Sequence, residues 1–100
     1  MNSINLPYRE LKEFCGKYHI KKMSLFGSVL TDEFKPDKSD VDILVEFIID
    51  KHPSLFQFAG IEFELSELIN HKVDLKTKED LSIYFRNDVL KSSKTIYETE

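Results

Sequence analysis

Apolar residues recur along the chain in two rhythms, one helical and one of strand type, and the switches between them mark the predicted elements. Leu11, Phe14, Cys15 and Tyr18 fall at i, i+3, i+4 and i+7, the stripe of an amphipathic helix. Asn5-Leu6-Pro7 reads as its start, with Asn5 as N-cap and the proline in the first turn, and the helix ends near His19. Gly16 weakens that helix by about 1 kcal/mol relative to alanine. A strand is predicted over Lys22 to Phe26, followed by a Gly27-Ser28 turn into a short helical segment, Val29 to Glu33. The polar loop Lys35-Pro36-Asp37-Lys38-Ser39 feeds a second strand, Val41 to Ile49. There Val41, Ile43, Val45 and Phe47 share one face, leaving Asp42 and, two residues earlier, Asp40 on the other.

Lys51-His52-Pro53 breaks that strand, and Ser54-Leu55-Phe56-Gln57 fits a capping box, serine at N-cap and glutamine at N3. The helix it opens is expected to reach Ile69, with Phe58, Ile61, Leu65, Leu68 and Ile69 toward a sheet. Phe56 and Phe63, seven apart, fall on the opposite side. They either form a partner surface or are covered by neighbouring segments. Lys72 to Thr77 alternates as a short strand, with Val73 and Leu75 on one face and Lys72, Asp74 and Lys76 on the other. Beyond it, Leu81, Tyr84, Phe85, Val89 and Leu90 suggest a further helix, and Thr95-Ile96-Tyr97 a last strand. Helices alternating with strands predict an α+β, α/β-like fold, a small mixed β-sheet packed with α-helices.

One hundred residues predict a single domain over 1–100 with one core and a shallow cleft. A 41% hydrophobic and 32% charged composition is that of a globular domain. No apolar run approaches the roughly 20 residues that span a bilayer. The start, Met1-Asn2-Ser3-Ile4-Asn5, lacks the pattern of an export signal, and the single Cys15 can form no internal disulfide. Both point to the cytoplasm. A formal net charge of −4 opposes broad electrostatic binding to nucleic acid. An acidic chain that handles an anionic nucleotide needs a cation to offset the repulsion, and divalent metal on carboxylates would provide it.

Asp40 and Asp42 are the first candidate ligands. Asp-x-Asp alone is a common turn pattern. Asp42, however, lies inside an apolar run, where an ionised carboxylate costs several kcal/mol unless compensated. Asp74 is a third acid embedded in a strand, and three such acids around one small sheet could converge on one or two ions. Gly27-Ser28, between a strand and a helical segment, allows close approach of phosphate to backbone amides and to the Ser28 hydroxyl. The histidines His19, His52 and His71 lack metal-site spacing and read as surface or turn residues. Cys15 reads as a buried small side chain. Lys72, Lys76 and Arg86 are candidates for neutralising phosphate.

Ser24-Leu25-Phe26-Gly27-Ser28, Ser39-Asp40-Val41-Asp42-Ile43-Leu44-Val45-Glu46-Phe47 and Lys72-Val73-Asp74-Leu75 together resemble the minimal nucleotidyltransferases of the polymerase β-like superfamily. The resemblance runs from about Leu6 to Glu98, including Ser54-Leu55-Phe56, Glu62 through Leu68 and the Arg86 to Glu98 ending. The chain departs from the family pattern twice. Val29 to Ser39 is one residue longer than the usual spacing, and Asn70-His71 stands where a glycine often precedes the third acid. The resemblance implies the polymerase β-type fold, Mg²⁺ on Asp40, Asp42 and Asp74, and a triphosphate gripped by Gly27 and Ser28. It also implies a partner, since such domains are commonly antitoxins of HEPN–MNT toxin–antitoxin pairs. The expected reaction is AMP transfer from ATP to a tyrosine of the HEPN ribonuclease, with Phe56 and Phe63 as candidates for the toxin-facing surface. Two alternatives remain: a non-catalytic antitoxin that neutralises by contact, and a small enzyme acting on an RNA end or small molecule.

Overall fold

Helix α1 spans Tyr8–Lys17 in the computed structural model, which describes residues 4–99. Leu11, Phe14 and Cys15 are its buried stripe, as the spacing predicts. The cap differs: Pro7 rather than Asn5 occupies the N-cap position, and no side chain caps the first turn. The Pro7 carbonyl accepts from Leu11 N at 2.8 Å, and the ring sits where a missing N–H leaves nothing unpaired. Met1 to Ser3, which carry most of the export-signal reading, and Glu100 at the end of the predicted domain lie outside the described residues.

Strand β1 (Ile20–Phe26) begins earlier than predicted, directly after His19 reverses the chain at φ 59°. The predicted helical segment is a single 3₁₀ turn over Gly27–Leu30. Phe34 anchors the long loop that follows by burying its ring. Strand β2 (Val41–Phe47) stops before Ile49, because Ile48 N bonds to His19 O at 2.9 Å and Asp50 turns at φ 68°. Helix α2 (Leu55–Ile69) carries the predicted capping box, with Gln57 N donating to Ser54 Oγ at 3.1 Å and Ser54 N to Gln57 Oε1 at 2.8 Å. Ile61, Leu65 and Ile69 are buried, and Phe58 and Leu68 pack against the same core.

Strand β3 (Val73–Lys76) follows α2, completing a β-α-β unit. The predicted C-terminal helix is shorter than its apolar spacing suggests. A 3₁₀ turn occupies Lys78–Asp80, and helix α3 covers only Arg86–Ser92. Leu81, Tyr84 and Phe85 therefore precede it, with Tyr84 and Phe85 exposed. Ser82 shapes this stretch instead, its hydroxyl accepting from Tyr84 N and its carbonyl from Phe85 N and Arg86 N. Periodic apolar residues make a helix only where a surface stands ready to bury them. Strand β4 (Lys94–Glu98) is the predicted last strand.

The sheet order is β3-β2-β1-β4, with β1 antiparallel to β2 and β4 and β2 parallel to β3. Val41, Ile43, Val45 and Phe47 join Val73, Leu75 and the stripes of α1 and α2 in one contiguous core. Tyr18 OH donates to Glu64, and Lys17 Nζ pairs with the same carboxylate at 3.3 Å, tying α1 to α2. Both helices thus cover one face of the sheet. The β3–β4 connection leaves one edge and returns at the other. Its residues Thr77, Lys78 and Leu90 line a cavity of about 460 Å³ whose strand side includes Lys22, Ser24 and Leu44. The site lies on this second face.

Candidate active site

Parallel pairing of β2 with β3 sets Asp42 directly beside Asp74 as Cα partners. Their chain neighbours Val41, Ile43, Val73 and Leu75 are all buried in the core. Alternation along each strand then turns both carboxylates to the opposite face. The two acids, 32 positions apart by residue number, become neighbours through the pairing of β2 with β3. Asp40 lies just outside β2 and is exposed, so it approaches from the loop end rather than from within the strand.

Electrostatics record the crowding. Burial holds the Asp42 carboxyl above the usual carboxylate range, the negative charges of Asp74 and Asp40 raise it further, and Lys76 lowers it in part. Lys76 Nζ stands 3.5 Å from Asp74 Oδ1. Of the three suggested cations, Lys76 is thus placed at the acids, whereas Lys72 is exposed. Arg86 is turned to its own segment: Nη2 donates to Leu81 O at 3.1 Å, and its buried Nε lacks a partner among the described residues.

Gly27 completes the corner. Phe26 pairs with Asp42 across β1 and β2, so the next residue falls beside the Asp42 side chain. Its φ of +77° is left-handed, and a Cβ there would lie 2.3 Å from Asp42 Oδ2. Glycine is therefore required twice, for the turn and for the space its absent side chain leaves to a carboxylate. The sequence by itself points only to a phosphate-approach role for this glycine. Ser28 follows half-buried in the 3₁₀ turn, its carbonyl accepting from Thr31 N and Thr31 Oγ1 at 2.9 Å.

Among the described residues, no group of three or more His, Cys, Asp or Glu side chains is placed to hold a metal ion, so Asp40, Asp42 and Asp74 do not by themselves make the expected three-acid cage. Magnesium seldom uses one, being held by one or two carboxylates together with substrate phosphates. Hard oxygen donors and an acidic cluster only partly offset by one lysine fit that ion. Two histidines stay outside the site, His19 in a turn and His71 near Phe34 at 6.3 Å, whereas His52, its ring tilted 5.6 Å from that of Phe47, lines the cavity on the second face. Cys15 is fully buried, and burial pushes its thiol up to about 12, which excludes it as a nucleophile.

Both departures from the resembling pattern have local answers. Asn70 adopts φ 59°, ψ 39° as the left-handed C-cap of α2, the conformation in which glycine most often serves and asparagine next. The long loop is pinned by buried Phe34 and closed by Ser39, whose N–H donates to Lys35 O at 2.7 Å while its hydroxyl accepts from Lys35 N at 3.0 Å.

Two residues that the sequence reading did not single out also bear on the site. Glu62 and Ser66 of α2 accept hydrogen bonds from the outward amides of β3. Their i, i+4 spacing on the flank of α2 was the available signal, and it acquires meaning only once β3 is known to be an edge strand.

Comparison with known proteins identifies a family for the chain and relatives of its fold. The family model described as "Nucleotidyltransferase domain" matches residues 8–96. The protein adenylyltransferase MntA of Thermococcus cleftensis is 38% identical over 80 residues, 80% of this chain and 78% of that protein. A presumed protein adenylyltransferase of Methanocaldococcus jannaschii is 44% identical over 62 residues. That alignment covers 62% of this chain and 60% of the relative's length. The fold of this chain is also similar to one in a solved complex of a tri-AMPylated Shewanella oneidensis HEPN toxin with an MNT antitoxin. That match has a TM-score of 0.64 and 18% identity, covering 92% of this chain and 70% of the other.

Proposed function

The chain belongs to the nucleotidyltransferase domain family, and from that premise we propose that it is a protein adenylyltransferase acting as an antitoxin. It moves AMP from ATP to a tyrosine hydroxyl of a partner HEPN ribonuclease toxin. The observation that carries the reading is the parallel register that sets Asp42 beside Asp74 on the open face, next to the Gly27 corner. Relatives named as protein adenylyltransferases and a solved complex containing an AMPylated HEPN toxin support the choice of acceptor.

The tyrosine oxygen attacks the α-phosphorus of ATP. The new O–P bond forms as the bond to the bridging oxygen of the β-phosphate breaks, and pyrophosphate leaves. Asp74 takes the hydroxyl proton as the oxygen attacks. Gly27 and Ser28 bind the triphosphate tail at the turn, and Lys76 offsets its charge from the neighbouring strand. Asp40, Asp42 and Asp74 would hold Mg²⁺, which when bound neutralises the triphosphate and stabilises the entering and leaving oxygens. The rest of the rate comes from positioning, since phosphoryl chemistry asks little covalent help of the protein.

The cavity beside Leu44 and Ser24 opens on the same strand face as Asp42, although none of Asp40, Asp42, Asp74, Gly27 and Ser28 lines it, and it would take the nucleoside or the incoming acceptor. Phe56 is 94% and Phe63 69% exposed, which favours the partner-surface reading over coverage by this chain's own segments. Among the described residues no helix is long and apolar enough to cross a membrane, and the cytoplasm is the proposed compartment.

Incubation with labelled ATP, Mg²⁺ and the product of the neighbouring gene tests the proposal. Label is expected on the partner with wild-type protein and not with Asp42→Asn. Neutralisation that survives Asp42→Asn without label transfer would establish the contact-only antitoxin. Label on an RNA end or small molecule instead would establish the remaining alternative.

A further inference from the structure

Strand β3 is an edge, and its outer backbone donors face no strand. Val73 N donates to Ser66 Oγ at 3.0 Å, and Leu75 N donates to Glu62 Oε2 at 2.8 Å. The Ser66 hydroxyl in turn donates to Glu62 O at 2.9 Å, which fixes its oxygen as the acceptor for Val73. These two amides flank Asp74 on either side along the chain. They point away from β2, whereas the parallel ladder to β2 sets Asp74 beside Asp42. Glu62 and Ser66, one helical turn apart on α2, therefore grip β3 from outside while β2 holds it from inside.

We propose that Glu62 and Ser66 are positioning residues for Asp74, holding the edge strand so that its carboxylate stays beside that of Asp42. The role rests on the adenylyltransferase reading for its catalytic consequence, but not for its structural one. A short edge strand with unpaired amides frays or slips, and a one-residue slip would turn Asp74 into the core. Nothing else among the described residues' hydrogen bonds ties the outer amides of β3. Glu62 serves here as an acceptor, so glutamine, which keeps a side-chain oxygen, substitutes for it and alanine does not.

The test combines amide hydrogen exchange, read by NMR on the intact chain, with steady-state transfer. In Glu62→Ala the Leu75 amide is expected to exchange at least about 10-fold faster, while Leu25 and Ile43 in the central strands exchange as before. Transfer kcat is expected to fall about 10-fold with KM for ATP unchanged, the signature of misplaced reacting groups rather than weakened binding. Ser66→Ala repeats the pattern at Val73, and Glu62→Gln restores exchange and kcat together.

Unchanged exchange at Leu75 in Glu62→Ala overturns the clamp. Faster exchange at Leu75 with kcat unaffected overturns the positioning role, and uniform acceleration across all strands reduces Glu62 to general stability. If the wild-type chain transfers nothing to any acceptor, the functional reading falls. Line broadening at the Asp74 amide by Mn²⁺ alone then replaces kcat: broadening lost in Glu62→Ala upholds the positioning role, and any other result overturns it.

Discussion

Replacing Gly27 by alanine should damage stability and catalysis through a single atom. The backbone there is left-handed at φ +77°, a conformation that costs an L-residue about 1–2 kcal/mol. The new Cβ would also sit 2.3 Å from Asp42 Oδ2, inside any permitted contact, and a tight 3.2 Å from Asp42 Cγ. The carboxylate must rotate away, and leaving its rotamer well adds about 0.5–1.5 kcal/mol. The expected loss is thus about 2 kcal/mol, or roughly 8–16 °C in Tm for a domain of this size. Transfer should fall by about 100-fold or more, because the displaced group is a proposed metal ligand and 1 Å of misplacement has that effect. A double-mutant cycle with Asp42→Ala isolates the clash. Without the carboxylate, Gly27→Ala should cost only the backbone term, leaving a coupling of about 0.5–1.5 kcal/mol. Thermal melts of the four proteins give the answer. Costs that add within about 0.3 kcal/mol would refute the proposed collision.

Asp42→Asn should raise Tm at neutral pH while abolishing transfer. The folded carboxyl titrates above its unfolded value, so the stability it contributes is present when protonated and is lost as pH rises through the raised folded value. The advantage of the amide should accordingly shrink as pH falls below the ordinary carboxylate range, and a melt series showing no pH dependence would contradict the origin assigned. Cys15, with its thiol raised to about 12, should resist a thiol-directed reagent in native protein and react at once in denaturant; prompt native labelling would show that α1 opens. Phe56→Ser together with Phe63→Ser should weaken capture of the proposed HEPN partner at least about tenfold with Tm essentially unchanged, since both rings are exposed. Retained affinity in calorimetry would move the partner surface elsewhere.

The faces that Asp42 and Asp74 take are legible in the sequence because strand alternation translates spacing directly into sidedness. A carboxylate among Val41, Ile43 and Val45 has only the opposite face open to it, and the same holds for Asp74 between Val73 and Leu75. The capping box at Ser54 was equally local, since both of its hydrogen bonds close within four residues. What escaped depended on relations between distant segments. The contact of Gly27 with Asp42 follows from the pairing of Phe26 opposite Asp42, and the grip of Glu62 and Ser66 follows from β3 being an edge. The C-terminal helix is shorter than its apolar spacing for a related reason: Leu81, Tyr84 and Phe85 keep helical spacing but lie before α3.

The two departures from the family pattern bear on whether the site survives in this chain. Each is a change in how a turn is made, and neither reaches β2 or β3, which carry Asp42 and Asp74, although Asp40 directly follows the longer loop. Asn70 takes the left-handed residue that ends α2, so β3 still leaves the helix at the point where Ser66 and Glu62 meet its amides. The additional loop residue lies between Val29 and Ser39, and Val41 N still bonds to Lys72 O at 2.8 Å, starting the parallel ladder ahead of Asp42 and Asp74. A lengthened loop that had shifted β2 by one residue would have placed Asp42 in the core and Val41 on the open face. The observed register excludes that shift, and the acids of this chain stand beside one another despite the longer path between them.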